Sequence, residues 1–292
     1  ITGANGFTGR HACAFFADAG YMVYALVRKP TTFSHNNIQM ILCDLVDKES
    51  IKNVIESIQP HFVLHLAGQN SVPASWSSPI DTFKVNIMCT SYLLDAIRTK
   101  NRDCRTVVAG SMLQSNPSDI PSYQHPYGLS KTIQSLLSEV YASLYNLDVL
   151  IARPSNLIGP GHSAGVCSIL AQKIALMEQG KEEKKIVIDN LLAQRDFLDV
   201  RDAIKGYEIL FLKGKSREVY DLKTGNLRNI REVVEHLKLL AKVDFEVNTL
   251  YEKKETIPLI NSNHLKSLGW RPLIPFEQSM KDILDFQRSI LQ

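Results

Sequence analysis

The side chains best placed for chemistry are a tyrosine and a lysine four residues apart, Tyr127 and Lys131, in a stretch of helical character running from Tyr127 to Tyr145. That spacing sets both on one helix face, about a turn apart. A phenol with a reference pKa of about 10 exchanges protons poorly at neutral pH, and a nearby ammonium stabilises the phenolate. Ser111 follows the apolar run Thr106 to Ala109, which reads as a strand. Ligands of open α/β sheets bind at the carboxyl ends of the strands. Ser111, Tyr127 and Lys131 are therefore the candidate catalytic set for proton transfer.

A second group of residues could hold a nucleotide. Thr2-Gly3-Ala4-Asn5-Gly6-Phe7-Thr8-Gly9 has the spacing G-x-x-G-x-x-G immediately before a helical stretch. Such glycines let a strand turn sharply into a helix and let a pyrophosphate approach backbone N–H groups at the helix N-terminus. No G-K-[ST] follows, which disfavours a P-loop nucleotidase. About 20 residues on, where dinucleotide enzymes contact the adenosine ribose, stand Arg28 and Lys29. An acid there would accept the 2′-hydroxyl of NAD, whereas two cations pair with the 2′-phosphate of NADP. The expected cofactor is NADP(H), with NAD(H) as the alternative; a merely solvated cation pair is the competing reading of Arg28 and Lys29. Asp44 could cap the helix after it or accept a bond from the adenine amino group.

The elements that must position these residues alternate. Tyr21 to Val27, Ile38 to Leu42, Phe62 to Leu66 and Thr106 to Ala109 read as strands, and Lys48 to Ile58 and Phe83 to Thr99 as helices between them. Strand–helix alternation predicts a parallel sheet covered on both faces. Val149 to Ala152 adds a strand. Beyond Pro154 the pattern changes, with helices over Ile169 to Gln179 and Ile230 to Ala241 and a returning strand over Glu218 to Leu222. The expected fold is α/β, a Rossmann-type doubly wound parallel sheet with a smaller C-terminal α/β substrate lobe. Residues 1–155 plus 193–222 would form the dinucleotide-binding domain, and 156–192 plus 223–292 the lobe. The sequence opens on Ile1 directly into the glycine loop, so most of the expected first strand lies outside it.

Composition narrows the classes. With 292 residues, 45% apolar and 22% charged, the chain is an ordinary globular one. Lys and Arg (33) nearly balance Asp and Glu (30) without a long basic run, so nucleic acid is not an expected partner. The five cysteines lack zinc-type spacing and read as buried free thiols, with no metal site. No apolar stretch reaches the ~18 residues of a membrane span, and no signal-like N-terminus is seen; the expectation is a cytoplasmic protein with no membrane partner.

Taken in order, the motifs resemble those of the extended short-chain dehydrogenase/reductases, the NAD-dependent epimerase/dehydratase family. They are the glycine loop, Asp44-Leu45, His65-Leu66-Ala67-Gly68, Asn86 with Thr90, Ser111, Tyr127-x-x-x-Lys131, Arg153-Pro154-x-Asn156-x-x-Gly159-Pro160-Gly161 and Arg195-Asp196-Phe197-x-Asp199-Val200-x-Asp202. The stretches around Asn156 and Arg195 look like those of GDP-4-keto-6-deoxymannose reductases. The resemblance implies that Tyr127 exchanges a proton with a sugar oxygen, Ser111 hydrogen-bonds that oxygen, and Lys131 holds the nicotinamide ribose and depresses the tyrosine pKa. It further implies cofactor contacts from Gly3, Asn5, Gly6, Phe7, Thr8, Gly9, Arg28, Lys29, Asp44, Leu45, Leu66, Ala67, Gly68 and Asn86, and nucleotide-sugar contacts from Gln69, Ser71, Asn156 and Arg195. An internal salt bridge of Arg195 to Asp196, Asp199 or Asp202 is the alternative for that residue. His65 reads as a packed histidine beside the cofactor.

The implied activity is NADP(H)-dependent reduction of a nucleotide 4-keto-6-deoxy sugar, GDP-linked by preference, with a nucleotide-sugar 4-epimerase as the alternative. Met112 and Leu113 stand where a dehydratase needs an acid for its leaving group, so dehydration is disfavoured. A non-catalytic sensor would not need Ser111, Tyr127 and Lys131 together. Near the C-terminus, Glu252 to Pro258 lacks the arginine before proline that the family uses on the diphosphate. Helices in the family pair subunits, and Ile87, Leu94, Ile97, Ile133, Leu137 and Tyr141 are the apolar residues expected to serve a homodimer.

Overall fold

Strand β1 (Val23–Val27) has four of its five residues buried and runs parallel to β2 (Ile38–Leu42). The computed structural model describes residues 1–118, 124–254 and 264–291. Parallel pairing continues through β3 (Phe62–His65), β4 (Arg105–Ala109) and β5 (Val149–Pro154). Ile1 and Thr2 join the two parts: Thr2 bridges both Leu26 and His65, donating its N–H to Leu64 O, while Leu26 N–H donates to Ile1 O. The near-continuous apolar character of β1, β3, β4 and β5 follows from burial on both faces, whereas no residue of β2 is fully buried.

Helices α1 (Phe7–Asp18), α2 (Lys48–Ile58), α3 (Val72–Ser77), α4 (Pro79–Phe83), α5 (Cys89–Lys100) and α6 (Pro126–Tyr145) belong to the same part of the chain. Asp47 caps α2 by accepting the N–H groups of Glu49 and Ser50. Asp44 is therefore not the cap; it accepts Val46 N–H in the turn before the helix. Ile51 and Ile55 of α2 share a core with Leu93 and Ile97 of α5, and Leu94 meets Val108, Ala142, Leu147 and Val149. The expected helix over Phe83 to Thr99 is divided by a π-helical turn, Lys84–Met88, that carries the fully buried Asn86. Such insertions are common at functional sites.

Then come β6 (Asn156–Ile158), α7 (Val166–Glu178), β7 (Lys185–Asn190), β8 (Gln194–Asp199), α8 (Val200–Lys213), β9 (Val219–Leu222), β10 (Leu227–Asn229), α9 (Ile230–Leu240), β11 (Glu246–Tyr251), α10 (His264–Ser267) and α11 (Phe276–Leu291). β9 completes the order β3-β4-β5-β9. The described residues divide into two units, one within 1–154, 204–221 and 263–270, the other within 155–203, 222–262 and 271–292. Residues 193–203, expected with the first unit, belong to the second because β8 pairs with β6 and β10. From Ile204 onward α8 packs in the first unit, Phe211 meeting Phe16 of α1. The second unit has its own core, including Leu170, Ile174, Val233, Leu237, Met280 and Ile283.

Two of the residues expected to serve a partner subunit are not available for it. Leu94 and Ile97 are fully buried in the chain's own core, since α5 lies between α2 and α6 on the sheet. Ile87, Ile133, Leu137 and Tyr141 are half-buried. Leu136, Val140 and Leu144 of α6 are exposed and four apart, and so lie in one stripe.

Candidate active site

Ser111 stands two residues beyond β4, and the loop after it is fastened to α6. Gln114 Nε2 donates to Lys131 O (3.0 Å), and Ser115 N–H donates to Thr132 Oγ1 (3.0 Å). At Gly128 a Cβ would lie 2.7 Å from Leu113 O, so only glycine lets the loop rest on the first turn of α6. His125 caps that turn, its Nδ1 accepting Gly128 N–H at 2.8 Å, and its ring stacks on Tyr127. These contacts place the Tyr127 phenol next to the Ser111 hydroxyl, which acts on its pKa as a hydrogen-bonding neighbour. The pair is nearly closed to solvent, at 6% and 7% exposure.

Lys131 lies one turn after Tyr127 and is 5% exposed. Its Nζ donates to Ala109 O and to Gln134 Oε1, each at 2.9 Å. Burial lowers its pKa to about 8. Burial also raises the Tyr127 pKa above its ordinary value, the Ser111 hydroxyl working the other way. The expected depression of the phenol is thus not present in this state: the ammonium is occupied by Ala109 and Gln134, and desolvation governs the tyrosine.

The segment after β3 runs beside the lysine. A Cβ on Gly68 would sit 3.1 Å from Asn86 Oδ1 and 3.4 Å from Lys131 Nζ. Asn86 Oδ1 accepts Gln69 N–H (2.8 Å), while its Nδ2 donates to Gln69 O (3.0 Å) and Ser130 Oγ (2.8 Å). Asn86 therefore ties this segment to α6 rather than starting a helix. Leu66 and Ala67 lead from β3 toward the glycine loop, where Thr2 Oγ1 accepts Ala67 N–H.

In that loop Gly3 has φ +65°, and a Cβ there would lie 2.8 Å from Ala67 N. A Cβ on Gly9 would overlap Gly3 O. Helix α1 starts after Gly6 without a side-chain cap, so its first-turn N–H groups, with Phe7 and Thr8, suit a phosphate. The donor set fits a dinucleotide pyrophosphate. Arg28 and Lys29 are exposed just past β1, Asp44 is exposed, and Leu45 is buried. Arg10, absent from the sequence reading, donates from Nη2 to Thr31 Oγ1 (2.8 Å) and to Asn5 Oδ1 and lies over the Phe33 ring. Its signal was its place directly after the third glycine.

The expected substrate contacts are spread over both units. Gln69 Nε2 donates to Ser71 O (2.9 Å), and Ser71 Oγ accepts Ala74 N–H at the start of α3. In the second unit Asn156 donates to Asp196 O (3.2 Å), and Arg195, paired in register with Arg228, donates to Gln194 O (2.6 Å). Asp196 accepts from Ser155, Thr224 and Gly225, and Asp199 from Arg201 and Ser279. Of the segment Glu252 to Pro258, positions 255–258 lie outside the described residues. Among the described residues no group of three His, Cys, Asp or Glu could hold a metal ion, and no helix is long and apolar enough to cross a membrane. All five cysteines are buried free thiols.

A parallel sheet, a glycine turn against an uncapped helix and a lysine beside a buried serine–tyrosine pair define a dinucleotide-dependent enzyme of Rossmann type. The profile of the NAD dependent epimerase/dehydratase family matches residues 1–222, and the chain belongs to that family. It is 30% identical over 300 residues to the GDP-6-deoxy-D-mannose reductase of Pseudomonas aeruginosa, covering 97% of this chain and 95% of the relative. Among solved structures it is similar to RMD from Pseudomonas aeruginosa complexed with NADPH, with a TM-score of 0.82, 28% identity and coverage of 99% and 97%. The UDP-glucose 4-epimerase of Thermotoga maritima with UDP-glucose shares the fold, with a TM-score of 0.86 at 24% identity and coverage of 100% and 98%.

His65 is fully buried, its Nδ1 2.8 Å from Thr2 Oγ1 and its Nε2 2.9 Å from Thr90 Oγ1. Desolvation first, then the Lys131 charge, lowers its pKa to about 3. The unfolded chain takes up this proton near pH 6.5 and the folded chain does not, so the contribution to stability is complete above pH 6.5. It is lost as pH falls from there toward 3, by about 1.4 kcal/mol per pH unit. In an NMR titration the His65 ring resonances should keep their neutral positions down to pH 5. A midpoint near 6.5 would contradict this packing.

Proposed function

We propose that this chain reduces the keto group of a nucleotide 4-keto-6-deoxy sugar, GDP-linked by preference, using NADP(H). The observation that carries the reading is the burial of Ser111 and Tyr127 together beside Lys131, with the phenol kept protonated at neutral pH. A ketone reduction must begin with a proton donor, and this tyrosine is one. The similarity to the Pseudomonas reductase supports the substrate class.

When bound, the dinucleotide supplies the hydride that adds to the carbonyl carbon. Tyr127 gives its phenolic proton to the carbonyl oxygen, and Ser111 hydrogen-bonds the same oxygen. Lys131 stabilises the phenolate left behind and holds the nicotinamide ribose. Gly3, Asn5, Gly6, Phe7, Thr8 and Gly9 receive the pyrophosphate, Asp44 and Leu45 the adenine, and Leu66, Ala67, Gly68 and Asn86 line the path to the lysine. Arg28 and Lys29, with Arg10, are the cations for the 2′-phosphate. Gln69, Ser71, Asn156 and Arg195 are the proposed contacts to the sugar nucleotide. Ser111 is followed by Met112 and Leu113, which supply no acid for dehydration. Five buried free thiols fit a reducing, cytoplasmic setting.

With GDP-4-keto-6-deoxymannose, the chain should oxidise NADPH one for one with product, and Tyr127→Phe should lower turnover ~100- to 10,000-fold while still binding NADPH. Sugar interconversion without net oxidation would instead indicate an epimerase, and neither outcome a sensor. Titration calorimetry should show NADPH binding on the order of 10- to 100-fold tighter than NADH, with the preference reduced in the Arg28→Ala, Lys29→Ala double variant, which retains Arg10; equal affinities in the parent chain would sink the cofactor assignment. The exposed stripe on α6 leads us to place a second copy of this chain against it as a two-fold homodimer. Light scattering should give twice the chain mass, reduced to the single mass by Val140→Asp with Leu144→Asp. A single-chain mass for the parent at micromolar concentration would refute it.

A further inference from the structure

Hydrogen-bond bookkeeping around Lys131 has only one solution. Thr90 Oγ1 has a single proton, and it goes to Asn86 O at 2.8 Å. The same oxygen lies 2.8 Å from Gln134 Nε2 and 2.9 Å from His65 Nε2. Both nitrogens must therefore donate to it, filling its two lone pairs. The Gln134 amide cannot be reversed without setting its oxygen against Thr90 and its NH₂ against an ammonium. Its Oε1 consequently faces Lys131 Nζ, and all of Gln134, Thr90 and His65 are fully buried. The same count makes His65 Nδ1 an acceptor, satisfied by the Thr2 hydroxyl.

An ammonium has three donors. Ala109 O and Gln134 Oε1 take two of them, which leaves one N–H for a bound molecule or a phenolate. We propose that Gln134 is the positioning residue of Lys131: its amide oxygen, locked toward the ammonium by Thr90, fixes where the charge sits and leaves a single N–H free to act. Gln134 is three residues after Lys131 on α6, outside the Tyr-x-x-x-Lys motif, and nothing in that motif calls for it. The importance of Lys131 rests on the function proposed above, but the bonds that hold it do not.

The other titratable groups near Lys131 are Tyr127, one turn earlier on α6, and His65 on β3. His65 stays neutral above pH ~5 by its lowered pKa of about 3, and the raised phenol stays neutral through pH 9. A change in the lysine's titration can therefore be assigned to residue 134. The test is an NMR titration of the Lys131 side chain in the whole chain labelled at lysine Cε and Nζ, without substrate, assigned by comparison with Lys131→Arg. The parent should titrate at about 8.

Gln134→Leu removes an acceptor of the ammonium and should move the midpoint down by ~1 to 2 pH units. Gln134→Glu keeps the shape and places a carboxylate there, and should move it up. Shifts of opposite sign support the proposal, because a residue that only fills space would give none or two of the same sign. Unchanged midpoints in both variants, or a downward shift in Gln134→Glu, would overturn it. Should Gln134→Leu not fold, the direction in Gln134→Glu decides alone. Opposite shifts in a chain that fails to reduce keto-sugar nucleotides would leave the positioning role standing and remove the functional reading.

Discussion

The interaction on which the site depends is the burial of one ammonium. A lysine charge almost wholly removed from water costs far more than ordinary packing returns unless its protons are accepted. The chain accepts two of them with Ala109 O and Gln134 Oε1. From that requirement follow the identity of Thr90, which orients Gln134, the neutral tautomer of His65 and the hydroxyl of Thr2 at the start of the glycine loop. A continuous line of buried polar groups thus links the glycine turn to helix α6. The desolvation that leaves Lys131 at about 8 also keeps Tyr127 protonated.

Close backbone approaches arrange the rest. Gly9 brings α1 down onto the glycine loop, Gly68 brings the segment after β3 against Asn86 and Lys131, and Gly128 lets the loop carrying Ser111 lie on α6. The π-helical turn before α5 points Asn86 inward, where its amide joins the backbone of Gln69 to Ser130. Three separate segments therefore meet around one lysine without any of them supplying an opposing charge.

Much of this was legible from local patterning. Strong helical periodicity marked α2 to the residue, and apolar runs marked β3 and β4 within one or two positions, because those elements are set by burial of their own side chains; β2 was equally legible as an apolar run although none of its residues is fully buried. The family motifs also follow from sequence order alone. What was not legible depends on tertiary surroundings: Leu94 and Ile97 have the spacing of an interface but lie under neighbouring helices, and residues 193–203 pair with strands of the second unit. The Tyr–Lys spacing suggested a depressed phenol, whereas burial decides its direction. Gln134 carried no signal, since a buried glutamine on a helix acquires meaning only when its partners are known.

Deuterium transfer tests the central claim, hydride reduction of a nucleotide keto sugar at the Ser111–Tyr127–Lys131 site, most directly. NADPH deuterated at the transferred C4 position would be incubated with GDP-4-keto-6-deoxymannose and the product examined by mass spectrometry and NMR. The account predicts one deuterium on the former carbonyl carbon, one NADP⁺ formed for each sugar reduced, and loss of both in Tyr127→Phe. Product lacking deuterium at that carbon, or full transfer in the Tyr127→Phe chain, would contradict it.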